Sequence, residues 1–291
     1  MTDISIFIVN YNTAQLTKQC IESLLMQRRA SFEIIVVDNH SSDESLSILH
    51  QFGTQMSLLA NKDNKGFGKA NNQAFHQSKG RYLFMLNPDA HCLTELDLFH
   101  AIHYMDQHPE CGLAGTRIIN THHQVEHTSF DHYPRQSETK TDFSKLPGKI
   151  ASVLGASMIV RRDVFEKING FDEDYFLYAE ETDLCLRIRK QGYSIGYCDD
   201  VTVCHVGGAS EKKHAREDVI RKKKAGKLLF YSKHYLKSDV LKMMKRDFRL
   251  AQFHLILLEL KKILFGLNKK QEQKYQKHRI TLEIARRYLA E

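Results

Sequence analysis

Proline is scarce, at 4 residues, and glycine modest, at 15, which excludes collagen-like and proline-rich architectures. No apolar run reaches the roughly 18–20 residues needed to span a bilayer. The opening MTDISIFIVNYN carries an aspartate at position 3 and no basic stretch, so it is not read as a signal peptide. The six cysteines (Cys20, Cys92, Cys111, Cys185, Cys198 and Cys204) form no CxxC pair. Without an export signal they are expected to be reduced thiols of a cytosolic protein. No GxxxxGKS/T segment is present, which excludes a P-loop NTPase at motif level. No internal repeat is present either.

Apolar residues make up 42 % and charged residues 26 % of the 291 positions. That is the composition of a soluble globular protein of one or two domains, too apolar for a disordered chain. The net charge of +7 is unevenly placed. Residues 211–291 hold 23 Lys and Arg against 9 Asp and Glu, a net of +14; residues 1–210 hold 19 against 26, a net of −7. An acidic body, 1–210, with a basic tail, 211–291, points to two jobs, and the tail to an anionic partner.

Residues 4–9 and 32–37 are short β-branched runs of the kind buried in parallel sheets. Residues 56–60 make a weaker strand and 81–86 a strong one. Between them lie helix patterns. Thr13 is expected to cap the first, with Leu16, Cys20, Leu24 and Leu25 on one face. Others begin near Glu44 and Phe67, and one spans 93–105. Strand and helix alternate to about residue 110, which predicts an α/β fold with a parallel sheet. Residues 121–149 are polar and aperiodic, a long loop expected to be functional or mobile. Order resumes over 151–160, with a short helix near 164–168, a helix over 180–191, strands over 194–198 and 201–205, and helix to the end.

In open parallel sheets, ligands bind beyond the carboxyl ends of the strands. Asn10 and Asn12, Asp38, and Asn87 and Asp89 all fall there, as ligand groups or as ordinary turn formers and helix caps. Gly66, Gly68 and Asn71 nearly spell the dinucleotide fingerprint GxGxxG. They follow the third strand rather than the first, which argues against a nicotinamide-dependent oxidoreductase. The two glycines allow a close backbone approach at a helix start, or a plain turn. Asp89, His91 and His205 are candidate ligands for a hard cation such as Mg²⁺ or Mn²⁺. Glu180, Glu181 and Asp183 crowd one helix start. There they complement the helix dipole, or repel one another until one becomes a general base.

In order along the chain, IFIVNYN, EIIVVDNHSSDES, NKGFGKANN, YLFMLNPDA, GASMIVRRDVFEKINGFDEDYFLYAEETDLCLR and HVGGAS resemble a family 2 glycosyltransferase. The subgroup they resemble is the bacterial rhamnosyltransferase type, and the likeness covers about residues 4–210. It implies a GT-A fold, a Rossmann-like, mostly parallel sheet, here with a C-terminal basic helical extension. It also implies a nucleotide-diphosphate sugar donor (dTDP- or UDP-linked), a divalent metal and an inverting displacement. The acceptor would be a glycan or a lipid-linked molecule in cell-surface polysaccharide synthesis, and rhamnose is one candidate sugar.

By position in the motifs, Asn10, Asn12, Asp38, Gly66, Gly68, Asn71 and Asn87 line the nucleotide. Asp38 would accept the N3–H of a uracil or thymine ring. Asn87-Pro88-Asp89 stands where the family often has Asp-x-Asp, so Asp89 would hold the metal with one carboxylate fewer. His205, in His-x-x-Gly-x-Ser, would reach that metal from the far side. Gly155, Ala156 and Glu180 would line the donor sugar. Glu181 falls at the catalytic-base position, with Asp183 as a second base or as the structural partner of Arg187. The alternative function is a nucleotide-sugar-binding or scaffold protein without turnover.

In the tail, Met244, Phe248, Ala251, Leu255 and Leu258 are spaced four, three, four, three, which predicts a helix with one apolar seam. With Lys261-Lys262 interrupting the apolar stretch, the tail is expected to lie on an anionic membrane rather than span it. That would make the protein peripheral on the cytoplasmic face of the plasma membrane. The same seam would serve for packing on the body or in a homodimer. Nucleic acid is not expected as a partner, because the acidic body repels phosphates.

Overall fold

The computed structural model describes residues 2–208 and 215–290. The boundary between residues 210 and 211, and the Ala209-Ser210 end of the last motif, lie outside the described residues. The chain forms two compact units, Met1–Tyr133 with Ser144–Ser210, and Pro134–Phe143 with Glu211–Glu291.

In the first unit the unbroken apolar runs become strands covered on both faces. In β1 (Ile4–Asn10), Ile4, Ile6 and Ile8 face one core while Phe7 and Val9 face the other. The first core is closed by α1 (Ala14–Leu25) through Cys20, Ile21 and Leu24, and by α2 (Ser45–His50) through Leu49. The second is closed by α3 (Phe67–Gln77) through Ala70 and Ala74. The strands β2 (Phe32–Asp38), β3 (Ser57–Ala60) and β4 (Tyr82–Leu86) run parallel to β1 in the order β3-β2-β1-β4.

Three features depart from the sequence reading. The segment 111–119 has no assigned element there, yet it forms β6 (Cys111–Ile119), a central strand. Two of its positions are glycine because the packing there is close: a Cβ on Gly115 would stand 2.8 Å from the Val153 side chain, and one on Gly112 2.7 Å from Ile188. Large-residue alternation is therefore missing. A second unread strand, β5 (Ala90–Cys92), precedes α4 (Asp97–Gln107), which starts later than expected. The two strands expected at 194–198 and 201–205 are one, β10 (Ser194–His205), broken by a register shift between Cys198 and Thr202.

The short pair β7 (Ser129–Phe130) and β8 (Ser152–Val153) forms a separate antiparallel ladder. With β9 (Ser157–Arg161), antiparallel to both β4 and β6, the main sheet runs β3-β2-β1-β4-β9-β6-β10-β5. The helices α5 (Arg162–Lys167) and α6 (Glu180–Lys190) add Val164, Phe165, Leu184 and Ile188 to the second core.

The polar stretch 121–149 is more ordered than its composition implies. Arg189 on α6 donates to the carbonyls of Pro147 and Gly148 and to the hydroxyl of buried Tyr133, each at 2.9 Å. All six cysteines are free and buried.

The second unit holds α7 (Arg216–His234), α8 (Lys237–Phe265) and α9 (Lys269–Ala290). It also takes in Pro134–Phe143. Arg135 donates to Asp247 at 2.7 Å, and Asp239 accepts the Lys140 N–H at 2.7 Å. The α7–α9 contact carries Arg221–Glu283 and Arg279–Glu217 ion pairs at 2.6 and 2.5 Å. The apolar seam expected to face a membrane points inward instead. Met244 and Ala251 are buried and Phe248, Leu255 and Leu258 half-buried, because α8 lies along α9.

Candidate active site

Parallel pairing sets Asn10 beside Asp38 at the carboxyl ends of β1 and β2. Asn10 Nδ2 donates to Asp38 Oδ1 at 2.6 Å, and the Ser41 N–H donates to Asp38 Oδ2 at 3.0 Å. Thr13, expected as a helix cap, makes no capping bond. Its hydroxyl and that of Thr17 both donate to Asn10 Oδ1 at 2.7 Å and lock the amide. Asn12 sits at φ 56°, and its Oδ1 accepts the Ser42 N–H at 2.7 Å.

Asn39, which the sequence reading passed over, is buried and ties the end of β2 to the turn at 64–66. It donates to Asn64 Oδ1 and the Gly66 carbonyl and accepts from Lys65 N–H. The signal was available: an amide immediately after a strand end, inside the recognised motif.

Gly66 and Gly68 have packing reasons of their own. At Gly66, φ +83°, a Cβ would lie 2.2 Å from the Phe176 carbonyl oxygen; at Gly68 it would lie 3.0 Å from Phe171 Cβ. The close backbone approach that the glycines permit is to the protein's own 171–176 segment. Asn71 differs: it is buried, its Nδ2 donates to the Phe67 carbonyl at 3.0 Å, and its Oδ1 has no hydrogen-bond partner.

β4 ends one residue before Asn87, whose N–H donates to the Ala156 carbonyl at 2.9 Å. The strand that the sequence reading missed is what unites Asp89 and His205. β5 pairs antiparallel with β10, placing His205 opposite Ala90, and Val206 N–H donates to the Asp89 carbonyl at 3.0 Å. His205 Nε2 stands 3.2 Å from Asp89 Oδ1, but out of line for a hydrogen bond, and both ring nitrogens are buried without one. Among the described residues no group of three or more His, Cys, Asp or Glu converges in a metal-binding arrangement. His91 is half-buried on β5, and burial lowers its pKa.

At the start of α6, Tyr178 and Ala179 both take φ 73°, a left-handed conformation disfavoured for residues with a Cβ. They deliver three carboxylates into three different environments. Asp183 is fully buried and paired with Arg187 Nε at 2.6 Å, while Arg187 also holds the Ile168 and Gly170 carbonyls. The pairing with Arg187 is one of the two roles expected of it. Glu181 is half-buried beside Gly155: a Cβ there would meet Glu181 Cβ at 3.4 Å. Glu180 is buried with Oε2 unpartnered, and burial first, then the charge of Glu181, pushes its carboxyl well above the ordinary range.

Glu180 therefore holds its proton more tightly in the folded chain than in the unfolded one. Stability is present below the unfolded value of 4.5 and falls as pH rises from there toward the folded value. Glu180→Gln is expected to melt higher than wild type at about pH 7 and to lose that advantage near about pH 4. Melting curves at the two pH values check this; an equal change at both would contradict burial of an ionisable group as the cause.

The family model "Glycosyl transferase family 2" matches residues 5–169, and "N-terminal domain of galactosyltransferase" matches 135–209. An O-antigen biosynthesis protein of Myxococcus xanthus, RfbC, is 27 % identical over 228 residues, 73 % of this chain and 18 % of that protein. A low-salt glycan biosynthesis hexosyltransferase of Haloferax volcanii is 28 % identical over 222 residues, 70 % of this chain and 67 % of that one. The chain thus spans less than a fifth of the first relative's length and about two thirds of the second's. A Pyrobaculum calidifontis mannosyltransferase, PcManGT, solved with GDP-Man and Mn²⁺, superposes with TM-score 0.57 at 16 % identity, over 99 % of this chain and 74 % of that one. With its mixed sheet, this fold likeness and a family match across more than half its length, the chain has a GT-A fold with a C-terminal helical extension and belongs to glycosyltransferase family 2.

Proposed function

We propose that the protein is an inverting glycosyltransferase of cell-surface polysaccharide synthesis. It takes a sugar, with rhamnose one candidate, from a dTDP- or UDP-linked donor to a hydroxyl of a glycan or lipid-linked acceptor. The observation that carries this reading is the Asp89–His205 pair: an acid against a buried imidazole with no hydrogen bond of its own, at the carboxyl end of the sheet. That donor set fits Mg²⁺ or Mn²⁺ whose remaining ligands are diphosphate oxygens and water, and imidazole favours Mn²⁺. The Mn²⁺ and GDP-Man of the Pyrobaculum enzyme support it. Asp89 and His205 would hold such an ion, which when bound supplies positive charge opposite a departing diphosphate.

The chain's own residues do the rest. Asn10 and Asp38, locked to each other, present a fixed polar edge to the nucleoside, with a lone pair on Asp38 for a pyrimidine N3–H. Asn71 Oδ1 offers an unsatisfied acceptor near the same glycine-rich turn. Glu181, beside Gly155, takes the proton of the acceptor hydroxyl as that oxygen bonds to the anomeric carbon. The carbon–oxygen bond to the diphosphate breaks on the opposite side, and the nucleoside diphosphate leaves with the electron pair. One displacement, with no enzyme nucleophile, inverts the centre. Glu180, whose burial favours the protonated form, is suited to donate a hydrogen bond to the sugar rather than to compete as a base.

The basic helical unit is proposed to hold the enzyme on an anionic membrane surface, on the cytoplasmic face. Among the described residues no helix is long and apolar enough to cross a membrane.

The test is a thermal-shift panel of nucleotide sugars with Mn²⁺, paired with an assay for released nucleoside diphosphate. One donor should raise Tm and be slowly hydrolysed. A Tm rise without any release with or without candidate acceptors would favour a binding protein over an enzyme. No response to any donor would contradict the reading.

A further inference from the structure

The seam that turns inward leaves α8 with a second apolar face, and among the described residues nothing covers it. Phe253, Ile256, Leu257 and Leu260 are all about half exposed, and toward the helix end Ile263, Leu264 and Phe265 are 78 %, 68 % and 81 % exposed. Exposure rises toward the tip of the α8–α9 hairpin, where Gly266 at φ +72° ends α8. An apolar groove between Ile256 and Ile263 on α8 and Leu282 on α9 continues the same surface. Contiguous apolar surface of this kind marks a binding face.

Charge says what covers it. The tip is bracketed by Lys261 and Lys262 on one helix and Lys269 and Lys270 on the next, all exposed. The only acid from 250 to 270, Glu259, accepts a hydrogen bond from the Tyr275 hydroxyl. A second copy would bring the same four lysines and the same net +14 of residues 211–291 against this one. An anionic bilayer offers the opposite charge and a hydrocarbon layer for the side chains between. Lysines at such a border lay their stems along apolar surface and keep their ammonium groups among lipid phosphates.

We infer that the α8–α9 hairpin tip, centred on Ile263, Leu264 and Phe265, inserts into the headgroup–acyl boundary of an anionic membrane. This rests on the membrane placement proposed above and goes beyond it: the contact is apolar insertion at one named tip, and the spread of positive charge is secondary. Placing the tip in the bilayer would bring the enzyme to the surface where a lipid-linked acceptor presents its sugar.

The chain has no tryptophan, so Phe265→Trp places a single tryptophan, excited selectively over the tyrosines, at the tip of the otherwise unaltered full chain. With vesicles of equal phosphatidylcholine and phosphatidylglycerol, its emission should shift to the blue and be quenched by lipids brominated along the acyl chain. Replacing Ile263, Leu264 and Phe265 together by Ser, at exposed positions that leave the hairpin core untouched, should weaken vesicle binding by at least about tenfold. It should also turn binding that survives salt into binding that salt releases. Sedimentation of the full chain with vesicles at low salt, but no blue shift and no quenching, would overturn insertion while leaving charge-driven placement standing. No sedimentation at all would overturn both. A blue shift without vesicles that grows with protein concentration, alongside a dimer in analytical ultracentrifugation, would assign the face to a second copy and also overturn the inference.

Discussion

Glu181→Gln is expected to slow glycosyl transfer by about 10²–10⁴-fold, the usual effect of removing a general base. The amide is nearly isosteric, so the contact with Gly155 should survive and donor affinity should stay close to wild type. One secondary consequence follows from the neighbouring acid. The charge of Glu181 is one of the causes raising the Glu180 carboxyl, so the variant should let Glu180 ionise at lower pH than it does in wild type. Any residual rate should therefore have a different pH profile, instead of being a scaled copy of the original. Near-normal turnover by Glu181→Gln would move the base elsewhere. Asp183 is a poor substitute, because it is buried against Arg187 at 2.6 Å. Its own replacement by Asn should chiefly lower stability, by roughly 3–5 kcal/mol as for other buried pairs broken on one side.

Asp89→Ala is expected to reduce transfer by about 10²–10³-fold, the rate equivalent of several kcal/mol of charge stabilisation. It should also abolish the Mn²⁺-dependent part of nucleoside diphosphate binding, which calorimetry with and without the ion reads independently of activity. His205→Ala should reduce the same binding less, since a carboxylate contributes charge and a neutral imidazole does not. The neighbourhood makes the two effects separable. Asp89 is positioned partly through its backbone carbonyl, which Val206 N–H reaches at 3.0 Å and which alanine keeps. An unchanged wild-type rate in the presence of a chelator would remove the metal from the account and with it the role given to both residues.

What could be read from the sequence follows the physics of each element. The unbroken apolar runs at β1, β2 and β4 announce themselves because both faces of those strands are buried. Their carboxyl ends then locate Asn10, Asp38 and Asp89. β6 is illegible for a different reason: close packing by Val153 and Ile188 leaves room only for glycine at 115 and 112, and those positions carry no periodic signal. β5 is only three residues long, and without it nothing in the sequence brings His205 to Asp89. Motif resemblance supplies that pairing where local reasoning does not. The acidic cluster shows the limit most plainly. Spacing gives Glu180, Glu181 and Asp183 equal standing, whereas burial, the approach to Gly155 and an arginine four residues on separate them into an acid, a candidate base and a structural partner. The helical unit repeats the lesson at larger scale: α8 has two apolar stripes, and only tertiary packing decides which of them is left in solvent.

The central claim is a single displacement at the anomeric carbon of a nucleotide-linked sugar. Proton NMR of the anomeric region, following a donor identified by thermal shift as it is consumed in the presence of acceptor, tests this most directly. The expected result is a new anomeric signal of configuration opposite to that of the donor, appearing as the donor signal decays and slowed strongly in Glu181→Gln. Retention of configuration, or donor consumption that is indifferent to Glu181, would contradict the account.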